Sequence, residues 1–174
     1  MKRTKINSMR KVVFLDIDGV LNTGSWHSQA KGKELQDEYG YKFDPKAVAN
    51  LKRIVDETRA EIVISSTWKS FGFSELEEMW KDRGLPGKLV GLTPNSVSDE
   101  MLLNVDIASI ELFHIRGEEI KEWLTKRGKR LSNYVIIDDM DNMLPEQQSH
   151  FVHTNPEVGI TEENAAQAIT ILCG

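Results

Sequence analysis

Two acid pairs, each closing an apolar run, are the residues in this sequence best placed to do chemistry. Lys11-Val12-Val13-Phe14-Leu15 leads into Asp16-Ile17-Asp18-Gly19-Val20-Leu21, and Tyr134-Val135-Ile136-Ile137 leads into Asp138-Asp139 about 120 residues later. Carboxylates this close repel one another and prefer water, so their collection at the ends of buried segments calls for a partner. A hard divalent cation is suited to the task. Mg²⁺ takes oxygen ligands, commonly one or two carboxylates together with waters and a substrate phosphate. Alternation along an extended chain lets Asp16 and Asp18 point the same way while Ile17 turns into the core. Gly19 lets the backbone turn tightly and come close to whatever lies above it.

Between the acid pairs lies a hydroxyl-bearing segment. Ala60-Glu61-Ile62-Val63-Ile64 runs into Ser65-Ser66-Thr67-Trp68-Lys69. Hydroxyls at a strand end can donate hydrogen bonds to a phosphate oxygen without adding charge. An ordinary turn would use the same residues, and alone it would be the simpler reading. Arg116 stands at the start of a helical pattern, where the helix dipole mildly disfavours a cation. Pairing with an anion at the site would account for it; a solvated arginine is the other reading. Lys69 and Lys121 are reserve cations. His27, His114, His150 and His153 have no spacing suited to a transition-metal site.

The elements that must hold these groups follow from periodicity. The apolar runs before Asp16, Ser65 and Asp138 read as strands buried on both faces. Asp44-Pro45 opens a helix whose stripe is Val48, Leu51, Ile54 and Val55, ending near Thr58. Ser74-Glu75-Leu76-Glu77 predicts a capping box and a helix that Gly84 closes. Lys88 to Leu92 reads as a short strand, Arg116 to Gly128 as a helix burying Ile120, Trp123 and Leu124, and His150 to Thr154 as a last short strand. Thr161 caps a final helix. Strands alternating with helices predict an α/β fold, a mostly parallel sheet with helices on both faces. Ligands of such sheets collect at the carboxyl ends of the strands. Residues 22–43 predict a short flap or loop, and residues 95–114 fit neither period.

Whole-chain properties narrow the choice of partner. The 174 residues carry a net charge of −5, which predicts no strong nonspecific binding to nucleic acid. The one cysteine, Cys173, gives no disulfide framework and no cysteine zinc site. A basic tail over residues 1–10 precedes a single expected domain over 11–174. No window approaches a membrane span, and a cytoplasmic setting is the expectation.

Phe14-Leu15-Asp16-Ile17-Asp18-Gly19-Val20-Leu21 resembles motif I of the haloacid dehalogenase (HAD) superfamily in its phosphotransferase form. Ile62 to Ser65 or Ser66 resembles motif II, Arg116 resembles the motif III cation, and Ile137-Asp138-Asp139 resembles motif IV. The resemblance spans residues 11 to about 172. It implies a Rossmann-like HAD core with a minimal cap. It further implies a Mg²⁺-dependent phosphomonoester hydrolase that works through an aspartyl-phosphate, with Asp16 as nucleophile and Asp18 as general acid and base. Ser65, Ser66 and Arg116 would hold the phosphate. Asp16, the Asp18 backbone carbonyl, Asp138 and Asp139 would hold Mg²⁺. Ser65-Ser66-Thr67-Trp68-Lys69 resembles the Ser-Ser-x-Trp-Arg pattern of small HAD domains in RNA-repair proteins, with Lys in place of Arg, and so points to a nucleotide or polynucleotide end. The alternatives are a phosphatase of phosphoproteins or small metabolites, and a non-catalytic HAD-fold domain that binds phosphorylated partners.

Overall fold

The apolar run ahead of Asp16 becomes the central strand of a five-stranded parallel sheet in the computed structural model, which describes residues 10–29, 35–95 and 115–174. In chain order the elements are β1 (Arg10–Leu15), α1 (Gly24–Gln29), β2 (Gln36–Asp37), β3 (Gly40–Tyr41), α2 (Pro45–Thr58), β4 (Glu61–Ile64) and α3 (Phe73–Asp82). They continue with β5 (Leu89–Leu92), α4 (Ile115–Arg127), β6 (Leu131–Asp138), β7 (Phe151–His153) and α5 (Glu162–Cys173). The sheet order is β5-β4-β1-β6-β7. β2 and β3 form a separate two-stranded antiparallel ribbon. Among the described residues, no helix is long and apolar enough to cross a membrane.

Side-chain alternation explains why the central strands lack polar interruption. Val13, Leu15, Ile62, Ile64, Val135 and Ile137 face one core with Leu51, Ile54, Leu76, Ala165 and Leu172 from α2, α3 and α5. Val12, Phe14, Val63 and Ile136 face the other, against Ile120 and Trp123 of α4. Both faces of β1 are therefore dry, as a parallel sheet between helical layers requires. Phe14 meets the Trp123 ring edge-on at 5.2 Å.

Register brings the functional ends level. Leu15 pairs with Ile64 on one side and Ile137 on the other. The ladder continues one step beyond the strands: Asp16 N–H donates to Ile137 O at 3.0 Å, Ser65 N–H to Leu15 O at 2.9 Å and Thr154 N–H to Asp138 O at 3.0 Å. Asp16, Ser65, Asp138 and Thr154 thus lie along one edge of the sheet.

The predicted helix start at Asp44-Pro45 is present, with the Asp44 carboxylate accepting from Lys46 N–H at 2.8 Å and from Thr23 Oγ1 at 3.0 Å. The second bond ties the flap to the sheet-facing helix. The predicted capping box at Ser74 is not. α3 begins at Phe73, its N-cap is Gly72, and no side chain caps it. A 3₁₀ turn over Thr67–Phe71 runs almost directly into the helix, and Gly72 at φ +91° makes the break between them. The expected flap holds α1 and the β2–β3 ribbon. Arg10 belongs to β1 and pairs with Glu61; the rest of the basic tail, and residues 96–114, lie outside the described residues.

Candidate active site

Three carboxylates converge where β1 and β6 end. One oxygen from each of Asp16, Asp138 and Asp139 lies within 4.8 Å of the others. Asp16 and Asp138 are buried, Asp139 is half-buried, and Asp18 is exposed beside them. Arg116, in the first described turn of α4, sits between the two buried acids, with Nη1 at 3.2 Å from Asp16 Oδ1 and 3.4 Å from Asp138 Oδ2. Of the three candidate cations, Arg116 is the one on these acids. Lys69 is taken up by Glu119 and the Pro94 carbonyl, and Lys121 lies against Glu146 at the surface.

The electrostatics follow from burial. Removal from water pushes the Asp138 carboxyl up to about 7; Arg116 opposes the shift and the neighbouring Asp16 adds to it. Burial likewise raises Asp16, against the pull of Arg116 and a hydrogen bond from Ser66. Burial works against the Arg116 cation too, yet Asp138 and Asp16 hold it protonated above its ordinary range. One guanidinium thus compensates two buried acids only in part. Asp138 Oδ2 is also buried without a hydrogen-bond donor. An orphaned oxygen in a cluster of three carboxylates fits a hard cation of the Mg²⁺ type.

The two serines separate. Ser66 acts to lower the Asp16 carboxyl against its burial, and its hydroxyl accepts from the Trp68 main-chain N–H to cap the following 3₁₀ turn. The Ser65 hydroxyl is buried without a partner. Both are almost fully enclosed, so the end of β4 offers two candidate hydroxyls.

Backbone geometry sets the remaining distances. Between Ile17 and Asn22 the chain folds into a tight loop, with Leu21 and Asn22 N–H both donating to Ile17 O. Gly19 adopts φ +74°, and a Cβ there would come within 2.4 Å of the Asp139 carboxyl carbon. The glycine is what allows the first acid loop and the second to touch. Thr154 Oγ1 donates to Gly19 O at 3.0 Å and fixes that approach from β7.

Several supporting residues carried no site signal in the sequence. His153 Nε2 lies 2.8 Å from Asp139 O; since a carbonyl only accepts, that nitrogen carries the proton. Gln147 accepts from Leu144 N–H and donates to Gly117 O, anchoring the start of α4 and hence Arg116. Asn22 donates to Asp18 Oδ1. None belongs to a spacing pattern; each works through a main-chain group or a neighbouring loop. His27 of α1 lines the same cleft, an open space of about 480 Å³ floored by Asp16, Asp18, Asp139 and Arg116. A larger cleft of about 600 Å³ lies between the flap, α2 and α3, but its one arginine, Arg83, is already held by Asp37 and stacked on Phe43.

A parallel α/β sheet carrying a DxD loop, a hydroxyl strand end, a helix-borne cation and a second acid pair at one edge defines a HAD-type domain. The family model described as "HAD domain in Swiss Army Knife RNA repair proteins" matches residues 12–165, and the chain belongs to that family. No curated protein matches the chain.

Proposed function

We propose that the protein is a phosphomonoester hydrolase that works through an aspartyl-phosphate on Asp16. The observation that carries this reading is the convergence of Asp16, Asp138 and Asp139 around Arg116, with Asp18 two residues from the nucleophile and open to the cleft. A module that only bound phosphate would need cations and N–H donors; it would need neither a nucleophile nor an acid.

In the first step a carboxylate oxygen of Asp16 attacks phosphorus, the ester P–O bond breaks, and Asp18 gives its proton to the leaving oxygen. In the second, Asp18 takes a proton from water as the water oxygen attacks phosphorus. The Asp16–phosphate bond breaks and inorganic phosphate leaves. Ser66 and Arg116 hold the equatorial oxygens of the transferring group, where negative charge is spread. Asp16, Asp138, Asp139 and the Asp18 carbonyl are the groups that would hold Mg²⁺, which would supply charge neutralisation between nucleophile and phosphate. The family's RNA-repair description supports a nucleotide or polynucleotide end as substrate.

The test is hydrolysis of p-nitrophenyl phosphate and of 3′- and 5′-phosphorylated oligonucleotides, mononucleotides, phosphopeptides and sugar phosphates, with and without Mg²⁺. Turnover is expected to need Mg²⁺, to vanish in Asp16→Asn, and to favour a nucleotide ester. Undiminished turnover in Asp16→Asn would remove that residue as nucleophile, and a preference for phosphopeptides would move the substrate class.

A further inference from the structure

Asp18 has both carboxylate oxygens engaged. The Trp68 indole N–H donates to Oδ2 at 2.9 Å, and the Asn22 amide donates to Oδ1 at 2.7 Å. The two donors differ in kind. Asn22 is a half-buried side-chain amide from the same loop as Asp18, four residues on. Trp68 comes from the turn after β4, 50 residues away, and its ring is wedged between Phe43, with centroids 5.6 Å apart, and Phe71, 5.7 Å apart, both edge-on. Phe43 is itself buried and covered by the Arg83 guanidinium at 4.6 Å. The packing therefore leaves the indole little freedom to turn, and its N–H is directed at an exposed carboxylate.

We propose that Trp68 is a positioning residue for Asp18, anchoring Oδ2 so that Oδ1 is the oxygen that exchanges its proton with the leaving group and then with water. This rests on the hydrolase reading and goes beyond it, because it gives leaving-group handling to a side chain outside the acid cluster. A general acid works only within hydrogen-bond reach of the oxygen it protonates, and a carboxylate on a short exposed side chain holds that position poorly unaided. With Oδ2 anchored, the Asn22 amide swings off Oδ1 when the leaving oxygen arrives. The proton passes from Oδ1 to that oxygen as its bond to phosphorus breaks, and Oδ1 is reprotonated by the attacking water. The leaving group consequently lies on the Asn22 side of the cleft, away from the anchored Oδ2.

The experiment replaces Trp68→Phe, which keeps a ring between Phe43 and Phe71 and removes the N–H. Trp68→Tyr is a second ring with no N–H at that place. kcat and KM are measured with Mg²⁺ on glycerol phosphate, whose alkoxide must be protonated to leave, and on p-nitrophenyl phosphate, whose phenolate hardly needs it. A hydrogen bond to a charged group is worth enough to predict a fall in kcat of about 10-fold or more on the alkyl ester. The fall on the aryl ester should be under about threefold, with KM unchanged on both. The ratio of the two kcat values is independent of the fraction of enzyme folded, so a packing defect does not imitate the result. Equal losses on both esters, or none on either, would overturn the assignment while leaving the hydrolase reading intact. A wild-type protein that turns over neither ester, nor any phosphorylated oligonucleotide or mononucleotide, would overturn both.

Discussion

Replacing Asp138→Asn should make the metal-free protein less sensitive to rising pH and, at the same time, less responsive to Mg²⁺. The magnitude comes from burial. Asp138 has its carboxyl pushed from the ordinary 3.8 up to about 7, and each pK unit is worth about 1.4 kcal/mol, so the fully ionised group costs on the order of 4 kcal/mol of folding free energy. The sign follows from proton binding. The folded state holds this proton more tightly than the unfolded chain, so its stabilising contribution is complete below about pH 4 and is lost as pH rises through about 7. Most of the measurable part, roughly 2–3 kcal/mol, falls between about pH 5 and 8. For a chain of this length that is a drop in melting temperature of about 5–10 °C. Asp16, raised for the same reason, slopes the same way in both proteins. Arg116 keeps its contact with Asp16 in the variant, so the asparagine does not strand the cation. The assay is thermal unfolding in EDTA at several pH values, repeated with excess Mg²⁺. A ligand at about 100 times its dissociation constant stabilises by roughly 2.7 kcal/mol, and this gain should be present in the wild type and largely lost in Asp138→Asn. Parallel pH slopes for the two proteins would refute the account of buried uncompensated charge. Equal Mg²⁺ gains would remove Asp138 as a ligand.

Two further substitutions test the geometry around the acids. Gly19→Ala places a methyl within 2.4 Å of the Asp139 carboxyl and a side chain at φ +74°; it should lower stability by about 1–2 kcal/mol and shrink the Mg²⁺-induced rise in melting temperature, and a full-sized rise would show that Asp139 does not share the cation. Ser66→Ala should reduce kcat/KM by about 10-fold through loss of a hydrogen bond to a charged group, whereas Ser65→Ala should change it by less than about threefold; the opposite order would assign the phosphate hydroxyl to Ser65.

Much of this arrangement was legible in the sequence because burial on both faces leaves an unmistakable trace. Val12 to Leu15 and Val135 to Ile137 could be nothing but central strands, and the acids at their ends had to share an edge once the strands ran parallel. Asp44-Pro45 was equally plain, since an N-cap acid and a proline at the first helical position act within four residues of chain. Ser74 misled because the capping pattern is local while the helix start was decided by the preceding turn and by Gly72, whose φ of +91° no pattern encodes. The choice between Ser65 and Ser66 was open in the sequence for a related reason: β4 ends at Ile64, and beyond the last strand residue alternation no longer says which hydroxyl faces the acids. His153 and Gln147 act on carbonyl and amide groups of the backbone, so their contributions depend on tertiary approach alone.

The same parallel register that makes the sheet stable is what makes its edge unstable. Aligning Leu15 with Ile64 and Ile137 forces the next residues of three strands into one small space, and two of those three are carboxylates. An apolar residue at either acid would pack better and remove a repulsion. Arg116 offsets the charge from a single nitrogen shared between both acids, on a stretch of α4 that Gln147 anchors at Gly117. A site so constructed gains more from a cation and an arriving phosphate than a relaxed site could. The raised proton affinity of Asp16 and Asp138 is the measure of that unmet charge, and under the proposed hydrolase reading a bound cation would remove it and so couple the stability of the fold to readiness for the reaction.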